Sequence, residues 1–119
     1  MPNPFVHVEL NTTDVDQAKD FYGQLFDWTL QDVPMGDSNY TMIQPGTGTG
    51  GGIMQHPTPG AASTWLAYVL VDDIAASTEK ARSLGATVVK DVTEVTGAGW
   101  LSIIIDPTGA TLGLWKPAV

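Results

Sequence analysis

The chain has 119 residues, 43% apolar and 15% charged, enough for one domain with a sizeable core. Thirteen acidic against five basic residues give a net charge of −8. That excludes the basic stripe of a nucleic-acid binder and attraction to anionic membrane surfaces; it suits neutral or cationic ligands, or plain solubility. With no cysteine, thiol catalysis, disulfides and cysteine-based zinc sites are excluded.

Met1-Pro2-Asn3-Pro4-Phe5 has neither a basic nor an apolar export region, and no apolar stretch approaches membrane-spanning length. A cytoplasmic protein is expected. Phe5 to Asn11 alternates around Val6, Val8 and Leu10, the pattern of a half-buried strand. Asp14 to Asp27 carries Val15, Ala18, Phe21, Tyr22, Leu25 and Phe26 at helical spacing, with Thr13 or Asp14 as cap. Strands are predicted at 29–33, 40–44 and 52–55. Pro34-Met35-Gly36-Asp37-Ser38 and the glycine-rich run 45–51 form the turns between them. Residues 56–63 form a link.

A second strand follows at 65–71 and a second helix at 73–84, with Asp72 or Asp73 as cap and Gly85 at its end. Strands at 87–92, 100–105 and 111–115 complete the chain. Asp106-Pro107-Thr108-Gly109 has the residue order of a tight turn.

The chain repeats itself. Asp14-Val15 returns as Asp73-Ile74 and Leu25 as Leu84, an offset of 59, and Met54-Gln55-His56-Pro57 aligns with Leu114-Trp115-Lys116-Pro117 at 60. One βαβββ unit is used twice, about 5–56 and 64–117. The expected architecture is α+β: two modules whose curved, mostly antiparallel sheet forms a cup, with the helices outside. Alternation places Val6, Val8 and Leu10 under the first helix, and His7, Glu9 and Asn11 on the open side. The offset places Trp65, Ala67 and Val69 under the second helix, and Leu66, Tyr68 and Leu70 on the open side.

The paired modules, the strand followed by Asp-Val and an Ala-x-x-Phe-Tyr helix (Ala18, Phe21, Tyr22), and the Asp-Pro-x-Gly turn resemble the vicinal oxygen chelate superfamily. That superfamily includes glyoxalase I, bleomycin-resistance proteins and extradiol dioxygenases. Gly113-Leu114-Trp115-Lys116-Pro117 most resembles a bacterial branch of it. The resemblance implies a homodimer. It also implies that each module gives two metal ligands, one on the first strand and one, usually Glu, on the last. Divalent metal there acts as a Lewis acid. His7, seven residues before Asp14, matches a first-strand ligand; its repeat partner is Leu66. The last-strand positions fall on Gly113 and Ile53, with Gln55 two residues on. His7 and Gln55 are the weak metal candidates, and no cofactor is expected.

His7 therefore reads as a ligand contact, a satisfied buried histidine or a metal ligand. Glu9, on the same strand face, could form an acid/base pair with it, so His7 and Glu9 are the weak catalytic candidates. Tyr68 and Trp115 fall on the predicted cup face. The faces of Tyr40 and Trp100, offset-60 counterparts, are open. The ligand-contact set is His7, Glu9, Gln55, Tyr68, Trp100 and Trp115; the alternative is that the aromatics fill a core or dimer seam. Trp28 and Trp65 read as core and His56 as a surface loop residue. Gly46 to Gly51 contains GxGxxG, but no helix follows to hold a phosphate, so it reads as a hairpin loop that could close over the cup.

Three functions compete. The first is metal-independent binding of a small organic ligand, cationic or aromatic, like the antibiotic-sequestering members of the superfamily. The second is a metal-dependent lyase, isomerase or dioxygenase using His7 and its polar neighbours. The third is a non-catalytic interaction module.

Overall fold

The computed structural model of the chain describes residues 3–35 and 38–119. They form eight strands and two helices in the order β1 (Phe5–Thr12), α1 (Val15–Leu25), β2 (Thr29–Met35), β3 (Ser38–Gln44), β4 (Gly51–Gln55), β5 (Thr64–Leu70), α2 (Ile74–Ser83), β6 (Thr87–Val95), β7 (Gly99–Ile105) and β8 (Thr111–Pro117). The class is mixed α+β, and βαβββ occurs twice. Gly36-Asp37, the tip of the turn read between β2 and β3, lies outside the described residues. Among the described residues, no helix is long and apolar enough to cross a membrane.

Both helices start on an aspartate. The Asp14 carboxylate accepts the Gln17 N–H at 3.0 Å, and the Asp73 carboxylate accepts the Ala76 N–H at 3.0 Å, each satisfying one otherwise orphaned amide. At the end of α2, Gly85 takes φ 102°, the left-handed cap only glycine adopts cheaply. The Asp106 turn is closed by the Gly109 N–H to the Asp106 carbonyl at 3.0 Å. Hydrogen bonds from the Thr108 hydroxyl and the Ala110 and Thr108 amides hold the Asp106 carboxyl below its ordinary value.

The chain divides into two compact units, residues 7–66 and residues 1–6 with 67–119. In the first, the strand order is β2-β3-β4-β1; β3 runs antiparallel to β2 and β4, and β1 parallel to β4. The edge position of β2 lets it run on through Pro34, which cannot donate to a ladder. The second unit repeats the pattern as β6-β7-β8-β5.

Leu10, Ile43 and Ile53 form the first core, with Val15, Ala18, Tyr22, Trp28 and Leu30 packed on it from the helix side. Val71, Ile74 and Leu114 form the second, with Trp100 against it. Here the helix meets the sheet through two hydroxyls: Thr78 Oγ1 donates to the Ile74 carbonyl at 2.6 Å and lies 2.8 Å from Ser102 Oγ, both side chains fully buried. Trp65 is not under α2. Its ring packs edge-on against Tyr22 at 5.5 Å between centroids, because residues 64–66 belong to the first compact unit.

The structure also revises the repeat. Glu9 pairs with Gly52 and Tyr68 with Gly113. Glu9 and Tyr68 match at 59, so the counterpart of Gly113 is Gly52, at 61, rather than Ile53. The drift has a visible source: β6 is two residues longer than β2, and its pairing with β7 shifts register between Val88 and Lys90 and again between Lys90 and Thr93.

Candidate functional site

In residues 7–66 the sheet face opposite α1 is set by alternation. Leu10 and Ile53 are committed to the core, so Glu9 and its partner Gly52 point away from the helix. Gly52 opposes Met42 on β3, which brings Tyr40, two residues along, onto this same face. Glu9, Asn11 and Tyr40 are all buried there, and His7 is half-buried.

These residues form one chain of hydrogen bonds. The Tyr40 hydroxyl donates to Glu9 Oε2 at 2.9 Å, and His7 Nε2 lies 2.6 Å from the same hydroxyl. A phenol has one proton. With that proton given to Glu9, the His7 Nε2–H donates to the Tyr40 oxygen. Burial holds the His7 imidazole below its ordinary value. The two rings stack with centroids 6.1 Å apart.

Gly52 makes this arrangement possible. A Cβ there would collide with Tyr40 Oη, Cζ and Cε2. The second unit uses the same device from a different strand: a Cβ on Gly113 would meet ring atoms of Tyr68, which is buried. In both halves a tyrosine ring occupies the volume that a last-strand side chain would fill. Leu66, the repeat partner of His7, is buried.

The site candidates separate into those on the open faces and those that are not. His7 and Glu9 are brought together. Tyr68 and Trp115 share one face of the second sheet with Gly113, since Tyr68 pairs with Gly113 and Trp115 is two residues from it. Trp100 goes the other way. It pairs with Lys116 and packs on the helix-side core, with Lys116 Nζ 5.3 Å from its ring centroid. Gln55 is also on the helix side. It shares a face with Ile53, pairs with Thr12, and its amide donates to the Thr13 carbonyl at 3.2 Å. His56 accepts the Thr58 N–H at 3.0 Å and shapes the link. The glycine run leads directly into β4, which bears out its reading as a hairpin loop. Tyr40 was named by sequence with its face left open, and Gly52 was not singled out. The pointer was a glycine beside the core residue Ile53 in a strand, where glycine often marks a close approach.

A sequence profile described as the Glyoxalase/Bleomycin resistance protein/Dioxygenase superfamily matches residues 5–114, and the chain belongs to that family. Over 115 residues it is 38% identical to "Putative glyoxylase CFP32" of Mycobacterium bovis, covering 92% of this chain and 44% of that protein. It is 28% identical over 126 residues to the anthracycline biosynthesis protein DnrV of Streptomyces peucetius, covering 93% and 46%. The chain thus spans under half the length of these relatives. Among solved structures, methylmalonyl-CoA epimerase from Mycobacterium tuberculosis superposes with a TM-score of 0.72 at 19% identity, covering 97% of this chain and 88% of that one. That likeness is one of fold.

Members of the family often hold a divalent metal. Of the four positions the resemblance assigns to ligands, His7 alone offers a donor atom; Leu66, Gly52 and Gly113 offer none, and tyrosine rings cover both glycines. Among the described residues, no cluster of three or more His, Asp or Glu could hold a metal. These residues do not fit a metal bound in the family's four-position way.

Proposed function

We propose that the chain is a small-molecule-binding member of the glyoxalase/bleomycin-resistance family that engages its ligand without a metal. The observation that carries this is the His7–Tyr40–Glu9 chain seated over Gly52, where a buried phenol takes the place of a metal ligand. Hydrogen-bonding groups held in an apolar wall are what fixes a small ligand's orientation. Taken by itself, the second unit presents the half-buried Trp115, a flat apolar surface that suits an aromatic ligand. Residues 7–66 contain seven acidic residues and one lysine, a net −6 of the total −8, which favours a cationic ligand. A cytoplasmic homodimer remains part of this reading.

The test is a thermal-shift screen with cationic antibiotics and aromatic metabolites. Stabilisation is expected from at least one class, and it should be unchanged by EDTA. Tyr40→Phe keeps the ring over Gly52 and removes the hydroxyl; it should weaken the ligand's effect, whereas Gln55→Ala should not. Stabilisation that appears only with added Mn, Ni or Zn would refute the proposal.

The glyoxylase name of the mycobacterial relatives favours a second reading, a lyase or isomerase. In it, Glu9 and His7 would move a proton through the Tyr40 hydroxyl. Turnover of a carbonyl substrate that is lost in Glu9→Gln would support it.

A further inference from the structure

Of the six polar side chains buried among the described residues, five are paired within the chain. Glu9 accepts from the Tyr40 hydroxyl, Thr12 accepts the Asp14 amide, Thr41 donates to Asp32, and Thr78 and Ser102 hold each other. The sixth is Asn11. It is 7% exposed, yet among the described residues its side-chain amide makes no hydrogen bond. No side-chain nitrogen or oxygen sealed from solvent goes unpaired among those residues, so the Asn11 amide still reaches the open side. A buried polar group without a partner is costly to a fold, and that cost calls for a reason.

The fold does not ask for an amide at this point. At the offset of 59, the second module has Leu70 in the matching strand position. Leu10 is committed to the core, so Asn11 shares the open face of residues 7–66 with Glu9. The two lie about 6–7 Å apart along the strand, at ~3.3 Å per residue. The cross-strand partner of Asn11 is Met54, and Met42 lies opposite Gly52. Both methionines are half-buried. Their unbranched thioether side chains give this face an adaptable apolar surface that packs well against an aromatic ring.

We infer that Asn11 is a specificity-determining contact for a planar ligand carrying a neutral carboxamide or lactam edge. This rests on the metal-free binding face proposed above and names what that face selects. An asparagine amide offers one C=O acceptor and two N–H donors in one plane. A ligand group with its own N–H and C=O adjacent satisfies both sides at once, the kind of two-bond match asparagine makes with an adenine edge. A cation alone would pair only the amide oxygen, and a carboxylate only the amide N–H groups. A carboxylate would also sit beside Glu9, in a unit with seven acidic residues and one lysine.

The test is an amide NMR titration of the isotopically labelled chain with benzamide, benzoate and methyl benzoate, each to about 10 mM, the range where fragments of this size bind. Benzamide should shift the Asn11 side-chain N–H signals. It should bind about tenfold more tightly than the acid or the ester, the worth of one well-made hydrogen-bonded pair. Asn11→Leu, which installs the second module's residue, should erase that preference. It should leave the thermal unfolding midpoint unchanged or higher, because an unpaired polar group is removed. Equal affinity for the three probes would overturn the inference while leaving a metal-free binding face standing. A benzamide preference that survives Asn11→Leu, the absence of a saturable benzamide shift, or a midpoint lowered by Asn11→Leu would overturn it as well. Probe binding that requires added Mn, Ni or Zn would overturn both the inference and the reading beneath it.

Discussion

Replacing Gly52 with alanine is the sharpest perturbation of the site. In an open strand the change would help by about 0.5–1 kcal/mol, since glycine loses more conformational freedom on folding. Here the new methyl meets Tyr40 Oη, Cζ and Cε2. The ring is buried and tied to both His7 and Glu9, so it cannot swing clear without losing those bonds. Overpacking of this kind costs about 1–3 kcal/mol, so Gly52→Ala should destabilise by a net ~1–2 kcal/mol. Tyr40→Ala alone removes a buried aromatic ring, at about 3–5 kcal/mol. With the ring gone the methyl has room, so the double variant should be no less stable than Tyr40→Ala. The coupling should be about 1–3 kcal/mol. Urea unfolding followed by circular dichroism, with equal m-values across the cycle, measures this directly. Additivity of the two changes to within about 0.5 kcal/mol, or a Gly52→Ala protein as stable as the parent, would refute the packing described.

Burial lowers the His7 pKa in the folded chain, so the unfolded state binds the proton first as pH falls. Stability should be level above the ordinary imidazole value and should decline as pH drops through it toward the lower native value. His7→Gln should flatten that decline in urea midpoints taken between pH 7.5 and 5. In the second half, Thr78→Val leaves Ser102 without its hydroxyl partner and should cost about 1–3 kcal/mol by the same assay. Adding Ser102→Ala should return part of that loss.

The layout of the chain was legible because it rests on short-range chemistry. Aspartate caps, helical spacing of apolar residues and glycine turns located α1, α2 and every strand to within a few residues. Alternation correctly gave the face of His7, Glu9 and Tyr68, all on strands whose neighbouring core residues are unambiguous. It failed where a residue's face depends on register between strands. The irregular pairing of β6 with β7 is invisible in composition, yet it moves the last-strand counterpart of Gly113 from Ile53 to Gly52. For the same reason Tyr40 and Trp100, which looked equivalent, lie on different faces. One belongs to the site and the other to a core. Gln55, an acceptable ligand by residue type, was on the wrong side of its strand.

Metal content of protein purified without chelator, measured by plasma mass spectrometry, tests the central claim most directly. Two tyrosine-covered glycines and Leu66 leave His7 without partner ligands in the family's pattern, so bound metal should be far below stoichiometric and the same in His7→Ala. Stoichiometric Mn, Fe, Ni or Zn that disappears in His7→Ala would contradict it.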